Sequence, residues 1–200
     1  MSGIIYILIN EAMPGYVKLG KTTSSVQQRM RELDSTGVPL PFECFYAARV
    51  ADCHQAEKLL HDAFQDQRVR SRREFFLISP ERMASALKLA ALEDVTPRDD
   101  VTDGADDEAA LNEARQRRGR FSFNMVGLLA GTILTHVKND DVTCVVVDDR
   151  NVEFQGDVMS LSQAALKAIH DMGYTWKAVQ GPLYWQFEGQ SLDSMRQAIN

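Results

Sequence analysis

The sequence lacks the features that would place it in a membrane, in a secreted scaffold or in a zinc-binding class. A membrane helix needs about 20 apolar residues, whereas the longest apolar stretch, 125–134, is interrupted by Gly127 and Gly131. The N-terminus has no basic segment before an apolar one, so we expect no signal peptide. Only three cysteines are present, without a C-x-x-C pair. These absences predict a cytoplasmic protein with no membrane partner, no disulfide framework and no structural zinc site.

The net charge of −6 conceals an uneven distribution along the chain. Residues 1–90 hold 12 Lys/Arg and 10 Asp/Glu, whereas residues 91–120 and 121–200 each hold 5 Lys/Arg and 9 Asp/Glu. Within the first segment, four arginines fall in six residues: Arg68, Arg70, Arg72 and Arg73. Such a cluster can bind phosphate even on an acidic chain, although a solvated, positively charged loop explains it equally well.

The first ninety residues have the pattern of a compact domain. Apolar, β-rich segments at 4–9 and 16–20 are separated by turn-forming residues, which predicts a hairpin. Residues 42–50 are expected to form a third strand, and residues 74–78 a strand or a buried extended segment. Amphipathic spacing predicts helices at 25–34, with Ser24 in a capping box, and at 52–64. Ser79 at a cap position followed by Pro80 predicts a third helix that runs to about residue 92.

The remaining chain divides into a linker and a second domain. Residues 93–120 are acidic and poor in apolar residues, which predicts a flexible linker with room for a polar helix at its end. Strands at 132–137, 142–147 and 152–154 and a capped helix at 160–169 follow. The predicted fold class is α+β, with an N-terminal three-stranded antiparallel sheet flanked by helices at 1–92, the acidic linker at 93–120, and a small C-terminal α+β domain at 121–200.

Candidate catalytic residues lie on the predicted hairpin and the helix after it. Tyr16 and Lys18 share one face of the second strand, and Tyr6 stands on the adjacent strand. A nearby ammonium group favours the phenolate form of a tyrosine, which can then act as a general base. Arg29, at the edge of the apolar stripe of the first helix, can bind a phosphate oxygen.

A candidate metal ligand lies on the second predicted helix. Glu57 and His61 are one turn apart beside its apolar stripe, and a carboxylate there can hold Mg²⁺ or Mn²⁺. A base, a phosphate-binding arginine and a metal carboxylate together suit hydrolysis of a phosphodiester. Taken alone, these residues also fit a structural interpretation, because strand tyrosines usually pack, flanking charges usually pair at the surface, and such a histidine is usually structural.

Several ordered motifs in residues 3–90 resemble the GIY-YIG nuclease family. They are Gly3-Ile4-Ile5-Tyr6, Gly15-Tyr16-Val17-Lys18-Leu19-Gly20-Lys21-Thr22, Arg29, Ala56-Glu57-Lys58-Leu59-Leu60-His61 and Arg73-Glu74-Phe75-Phe76. The likeness is strongest to the small phage-type branch, whose members share a K-[IL]-G-K-T core. The resemblance implies that Tyr6 activates a water nucleophile, that Arg29 binds the scissile phosphate and that Glu57 binds the metal.

Two positions depart from the family pattern. Lys18 replaces the tyrosine of the second motif, and Leu33 stands where many members carry a histidine. We expect Tyr16 or Lys18 to substitute for the tyrosine, and His61 for the histidine. Lys21 and the four clustered arginines are the expected DNA contacts of this domain.

The C-terminal segment resembles the restriction-enzyme adenine-methylase-associated (RAMA) domain. The residues that carry this likeness are Ala130-Gly131-Thr132-Ile133-Leu134-Thr135, Phe154-Gln155-Gly156, Ser160-Leu161-Ser162-Gln163-Ala164-Ala165 and Trp176. The resemblance implies recognition of DNA, including modified DNA. Trp176 is the residue expected to stack on a base, although tryptophans that complete a small core explain it at least as well.

The preferred hypothesis is a metal-dependent DNA endonuclease in restriction or phage defence, whose C-terminal domain selects the site. A non-catalytic DNA-binding protein on an altered nuclease scaffold is the main alternative, and an adaptor that binds proteins through its acidic half is a third. One active site would nick a single strand, so cleavage of both strands would require a homodimer or two events.

Overall fold

The chain folds into two α+β units. The computed structural model describes residues 1–102 and 104–199, and the chain divides into Met1–Arg117 and Arg118–Asn200. Each unit has an antiparallel sheet with helices packed on it, as the sequence predicts. Among the described residues, no helix is long and apolar enough to span a membrane.

A five-stranded sheet forms the centre of the first unit, in the order β4-β2-β1-β3-β5. Its strands are β1 (Gly3–Ile9), β2 (Tyr16–Thr22), β3 (Glu43–Val50), β4 (Phe75–Leu77) and β5 (Ala91–Asp94). The predicted number of three strands is therefore too low, because each edge of the sheet carries one further short strand. Strand β5 was missed because its four residues, mostly exposed, show neither alternation nor β-branched side chains.

The α-helices described in this unit are α1 (Val26–Leu33), α2 (Cys53–Ala63), α3 (Pro80–Lys88) and α4 (Ala105–Arg117). The N-cap of α1 is Ser25 rather than Ser24, since the Ser25 hydroxyl accepts the Gln28 N–H at 3.1 Å. The Ser24 hydroxyl lies 2.8 Å from that of Thr22 instead. Helix α3 ends earlier than predicted because the chain turns into β5.

The two faces of the sheet carry different helices. Tyr6 pairs with Gly20 and Leu8 with Lys18, so these four residues share a face, and it packs against α1. On the opposite face, a Cβ on Gly3 would lie 2.6 Å from Cys53 Sγ at the start of α2. Strand β4 pairs with β2 only from Tyr16 to Lys18, so the end of β2 that carries Gly20 extends beyond that ladder.

The segment predicted as a flexible linker, 93–120, contains the last two residues of β5 and all of α4, and part of it packs on the first unit. Leu111 of α4 is buried, and Arg115 Nη2 donates to Glu43 Oε2 at 2.5 Å. The Thr96 hydroxyl accepts the Ala47 N–H at 3.0 Å. The first unit therefore runs to Arg117 rather than ending at 92, because a few buried groups within an acidic stretch are enough to attach it.

The second unit has a six-stranded sheet in the order β11-β10-β6-β7-β8-β9. Its strands are β6 (Ile133–His136), β7 (Asn139–Val146), β8 (Asn151–Phe154), β9 (Asp157–Ser160), β10 (Trp185–Phe187) and β11 (Gln190–Ser191). Its helices are α5 (Leu161–Asp171), α6 (Gly181–Tyr184) and α7 (Leu192–Ile199). The predicted capped helix is confirmed, with a full capping box between Ser160 and Gln163.

A tight turn joins β8 to β9. Phe154 pairs with Asp157, which leaves a two-residue loop whose φ angles are 55° at Gln155 and 84° at Gly156. Positive φ at both central positions is the geometry of a type I′ hairpin turn. The left-handed conformation of Gln155 therefore follows from the hairpin and needs no functional cause.

Candidate active site

Tyr6 lies at the centre of the candidate site and is held by its own strand pair. Its side chain is 1% exposed and crosses directly over Gly20 on β2. A Cβ on Gly20 would lie 2.4 Å from the Tyr6 Oη atom, a separation that Cβ contacts do not reach. Only glycine at position 20 therefore lets the phenol occupy this place.

Arg29 brings a guanidinium group to the Tyr6 hydroxyl. Its Nε–H donates to Tyr6 Oη at 3.3 Å, and its Nη1 pairs with Glu32 Oε2 at 3.0 Å. Val26 and Met30 are the buried residues on one side of α1. Arg29 lies at the edge of that side, as the helical spacing predicts. Its partial exposure leaves room for an anionic ligand beside the phenol.

The protonation state of Tyr6 differs from the sequence-based expectation. Burial raises the pKa of the Tyr6 phenol, and the hydrogen bond and charge of Arg29, which act in the opposite direction, offset only part of that effect. The expected phenolate is therefore not the form present at neutral pH in the ligand-free protein. The prediction considered the charge near the ring but not the loss of water around it.

Glu57 on α2 is paired with Lys21 on β2. The Glu57 side chain is 13% exposed and that of Lys21 is 31% exposed, and the Lys21 ammonium donates to Glu57 Oε2. The hydrogen bond to Glu57 and the negative charge of Glu57 raise the pKa of Lys21. The residue predicted to bind metal and a residue predicted to bind DNA are thus in contact with each other.

Lys18 forms a second pair of this kind. Its side chain is 8% exposed, its Nζ lies 2.5 Å from Glu74 Oε2, and it lies 5.2 Å from the centre of the Phe75 ring. The Glu74 backbone carbonyl also accepts the Leu19 N–H at 3.0 Å. Tyr16 lies two residues away at the start of β2 and is partly exposed.

His61 lies one turn beyond Glu57. Its ring packs edge-on to Phe76 at 5.2 Å, and its Nε2 atom is buried without a hydrogen-bond partner. Burial and then the charge of Arg68 lower the pKa of the imidazole, so His61 is neutral at pH 7. A neutral imidazole can accept or donate one proton.

Glu74 is the residue of this site that sequence reasoning did not select. Glu57 and Glu74 both act electrostatically on Tyr6, on Lys21 and on His61. Glu74 therefore influences the same ionisable groups as Glu57 does. A usable signal was present in the sequence, because a lysine in the middle of a buried strand requires an acidic partner.

The arginine cluster forms an open concave surface directly before Glu74. This concavity of about 680 Å³ is lined by Arg70, Ser71, Arg72 and Arg73. Arg68 has a different role, because its Nε donates to the Arg73 carbonyl at 2.8 Å and its guanidinium lies 5.8 Å from the Phe76 ring centre. Arg68 therefore shapes the loop, while the other three arginines border its open side.

The aromatic residues of the second unit build its core. Trp176 is 7% exposed and its ring centre lies 4.7 Å from that of Tyr174 and 6.1 Å from that of Tyr184. Trp185 is fully buried and its Nε1 donates to the Leu161 carbonyl at 3.3 Å. Trp176 thus lies in the packed environment that the structural alternative describes, with little ring surface open to a base.

The donor set limits the kind of metal that the first unit could hold. No group of three or more His, Cys, Asp or Glu suited to a metal ion occurs among residues 1–102 and 104–199. A site built on Glu57 fits Mg²⁺, which uses one or two carboxylates and keeps several waters. The neutral His61 and the second carboxylate, Glu74, are compatible with such a hydrated cation.

The first unit is thus a small α+β domain in which β1 and β2 carry Tyr6, Lys18 and Lys21 and the adjoining helices α1 and α2 carry Arg29 and Glu57. Residues 3–91 of the chain match the T5orf172 domain, a phage-type domain. This match agrees with the resemblance of residues 3–90 to a phage-type branch, and it does not extend to the second unit. No curated protein and no solved structure matches the chain. The more specific likenesses to the GIY-YIG and RAMA families stay predictions.

Proposed function

We propose that the first domain is a metal-dependent DNA endonuclease of the GIY-YIG type that hydrolyses phosphodiester bonds. The observation that supports it most is the hydrogen bond of 3.3 Å between Arg29 Nε and the Tyr6 hydroxyl, which joins two residues that the family motif selects.

Arg29 positions the substrate in this proposal. Because its Nε is bound to Tyr6 and its remaining donors are partly exposed, a phosphate bound to the guanidinium would lie next to the phenolic oxygen. The same oxygen can then orient a water molecule for attack on phosphorus. The arginines at 70, 72 and 73 would hold a neighbouring phosphate of the same strand.

Tyr6 is proposed to take the proton of the attacking water. This step requires the phenolate, and burial disfavours that form in the ligand-free protein. Additional positive charge near the ring shifts the equilibrium back toward the phenolate. Glu57 would hold Mg²⁺ or Mn²⁺, which, when bound, supplies charge neutralisation at the phosphate and a polarised oxygen.

Lys18 and His61 receive different roles. Lys18 is largely buried against Glu74 and Phe75, so it replaces the family tyrosine as the anchor of Glu74 rather than as a proton acceptor. His61 is neutral at pH 7, so in the role of the family histidine its imidazole would accept a proton rather than donate one, and solvent water would supply the proton of the leaving oxygen. Tyr16 is the alternative substitute for the family tyrosine.

The second domain is proposed to recognise DNA, with base modification as the feature to test. The segments that carry its likeness to the RAMA family fold as β6 and the capped helix α5. Its balance of 5 Lys/Arg against 9 Asp/Glu over 121–200 argues against strong non-specific binding. A role in restriction or phage defence follows from the two resemblances together.

The direct test is nicking of supercoiled and labelled linear DNA, modified and unmodified, with Mg²⁺ and with a chelator. We expect Mg²⁺-dependent nicking that Glu57→Gln and Arg29→Ala each abolish. Asp62→Asn, an exposed position on the same helix, is the control for loss of one negative charge. Cleavage by Glu57→Gln at the wild-type rate would contradict the metal assignment.

A non-catalytic DNA-binding protein is the second candidate function. The neutral, buried Tyr6 and the engagement of Glu57 by Lys21 favour it. That protein would bind DNA with a steep salt dependence but would not nick it under any metal condition. An adaptor that binds proteins through the acidic half would show no salt-dependent DNA binding at all.

A further inference from the structure

The two lysine–carboxylate pairs near Tyr6 differ in how firmly each lysine is held. Lys18 is 8% exposed and has the Phe75 ring beside its ammonium group. Lys21 is 31% exposed and lies on the end of β2 that extends beyond the ladder with β4. A long, partly exposed lysine can leave its partner by rotating its side chain into water, whereas Lys18 has no comparable freedom.

The Lys21 ammonium occupies the carboxylate that the proposed function assigns to the metal. Its Nζ donates to Glu57 Oε2, so the pair carries no net charge. A divalent cation and an ammonium group in the same place repel each other, so a cation that binds Glu57 must displace Lys21. The freed ammonium is then available to a phosphate, and Lys21 directly follows Gly20, the residue over which the Tyr6 hydroxyl lies.

We propose that Lys21 is an exchangeable counter-ion: the divalent cation displaces it from Glu57, and the released ammonium then binds the DNA phosphate. This inference rests on the proposed function, because it uses Glu57 as the metal ligand. Metal and DNA binding are thereby coupled. Without metal, Lys21 is engaged and the site contributes little to DNA affinity; with metal, the local charge rises by two and favours the phosphate.

Metal binding to the full chain without DNA tests the first half of the exchange. Mn²⁺ is the probe, followed by its electron paramagnetic resonance signal and by calorimetry. Lys21→Met should bind Mn²⁺ about tenfold more tightly than the wild type, because the competing charge is gone. Lys58→Met, an exposed lysine on α2, removes the same charge and should change the affinity less than about twofold.

DNA binding tests the second half of the exchange, in which the released Lys21 ammonium binds a phosphate. Ca²⁺ serves as the divalent cation in these binding measurements, and cleavage of the DNA is followed in a separate assay. Without a divalent cation, Lys21→Met should weaken DNA binding by no more than about twofold, because the wild-type lysine is held by Glu57 and the variant adds only one unpaired negative charge. With Ca²⁺, the same variant should bind more weakly than the wild type by about five- to tenfold. Glu57→Gln releases Lys21 and should bind DNA more tightly than Asp62→Asn does in the absence of metal.

The outcomes separate failure of the exchange from failure of the metal site. If Glu57→Gln loses Mn²⁺ binding while Lys21→Met binds Mn²⁺ no more tightly than the wild type, the metal site stands and the exchange is wrong. If Glu57→Gln binds Mn²⁺ as the wild type does, the metal assignment of the proposed function is itself wrong. Circular dichroism and thermal unfolding of each variant confirm that the fold is retained.

Discussion

Replacement of Gly20 by alanine tests whether the placement of the Tyr6 phenol matters for activity. A Cβ at position 20 would lie 2.4 Å from Oη, 2.6 Å from Cζ and 2.8 Å from Cε2 of Tyr6. The ring must therefore move, and it packs among the buried core residues of β1 and α1. Overpacking of this kind costs about 1–3 kcal/mol, which corresponds to a fall in Tm of roughly 4–12 °C for a domain of this size.

The activity of Gly20→Ala should fall further than its stability. Misplacement of a catalytic group by about 1 Å costs on the order of 100-fold in rate, so single-turnover nicking should slow by about that factor at temperatures where the variant is folded. Gly37→Ala is the matched control, since the nearest atom to its Cβ would be Ser35 Oγ at 4.0 Å. Gly20→Ala added to Tyr6→Ala should cause no further loss. Wild-type nicking and Tm in Gly20→Ala would refute the reasoning.

Three other predictions follow from the site. Because the pKa of Tyr6 is raised, little phenolate is present at pH 7 and its fraction grows as the pH increases. The nicking rate of the wild type should therefore rise toward alkaline pH, and a flat profile from pH 7 to 9 would contradict Tyr6 as the base. Glu74→Gln leaves the largely buried ammonium of Lys18 without a carboxylate and should lower the free energy of unfolding by about 1–3 kcal/mol. Lys18→Met should cost less, because the Glu74 carboxylate that it leaves unpaired is 40% exposed to water. Urea unfolding measures both losses, and equal losses would contradict this difference. Arg70→Gln with Arg72→Gln should weaken DNA binding for all sequences and reduce the salt slope, and an unchanged slope in a salt titration would exclude phosphate contacts there.

The sequence predicted the strands and helices that have a strong local pattern. The apolar run in β1 and the spacing of Val26 and Met30 in α1 each specify one buried face, so their type and position follow from a few residues. Strand β5 has no such pattern, and its pairing with β3 depends on contacts made by the folded chain. The choice of Ser25 over Ser24 as a cap likewise depends on the direction in which the chain leaves β2.

The candidate site was predicted in part. The family motif selected Tyr6, Arg29 and Glu57, and the structure places Arg29 against the phenol. The role of Glu74 was missed because its partner, Lys18, was interpreted as a substitute for tyrosine rather than as a buried charge that needs pairing. The raised pKa of Tyr6 could not be read from the sequence, because it depends on how completely the packed side chains exclude water.

The contact between α4 and β3 determines how the chain can be divided for study. Glu43 is largely buried and its pKa is raised by that burial, while Arg115, 72 positions later, supplies its ion-pair partner. Truncation after residue 92 would remove this arginine and the cover that Leu111 provides, and would leave an uncompensated carboxyl group within the fold. A fragment of the first unit intended for expression in isolation should therefore retain the chain through Arg117, even though the family match ends at residue 91.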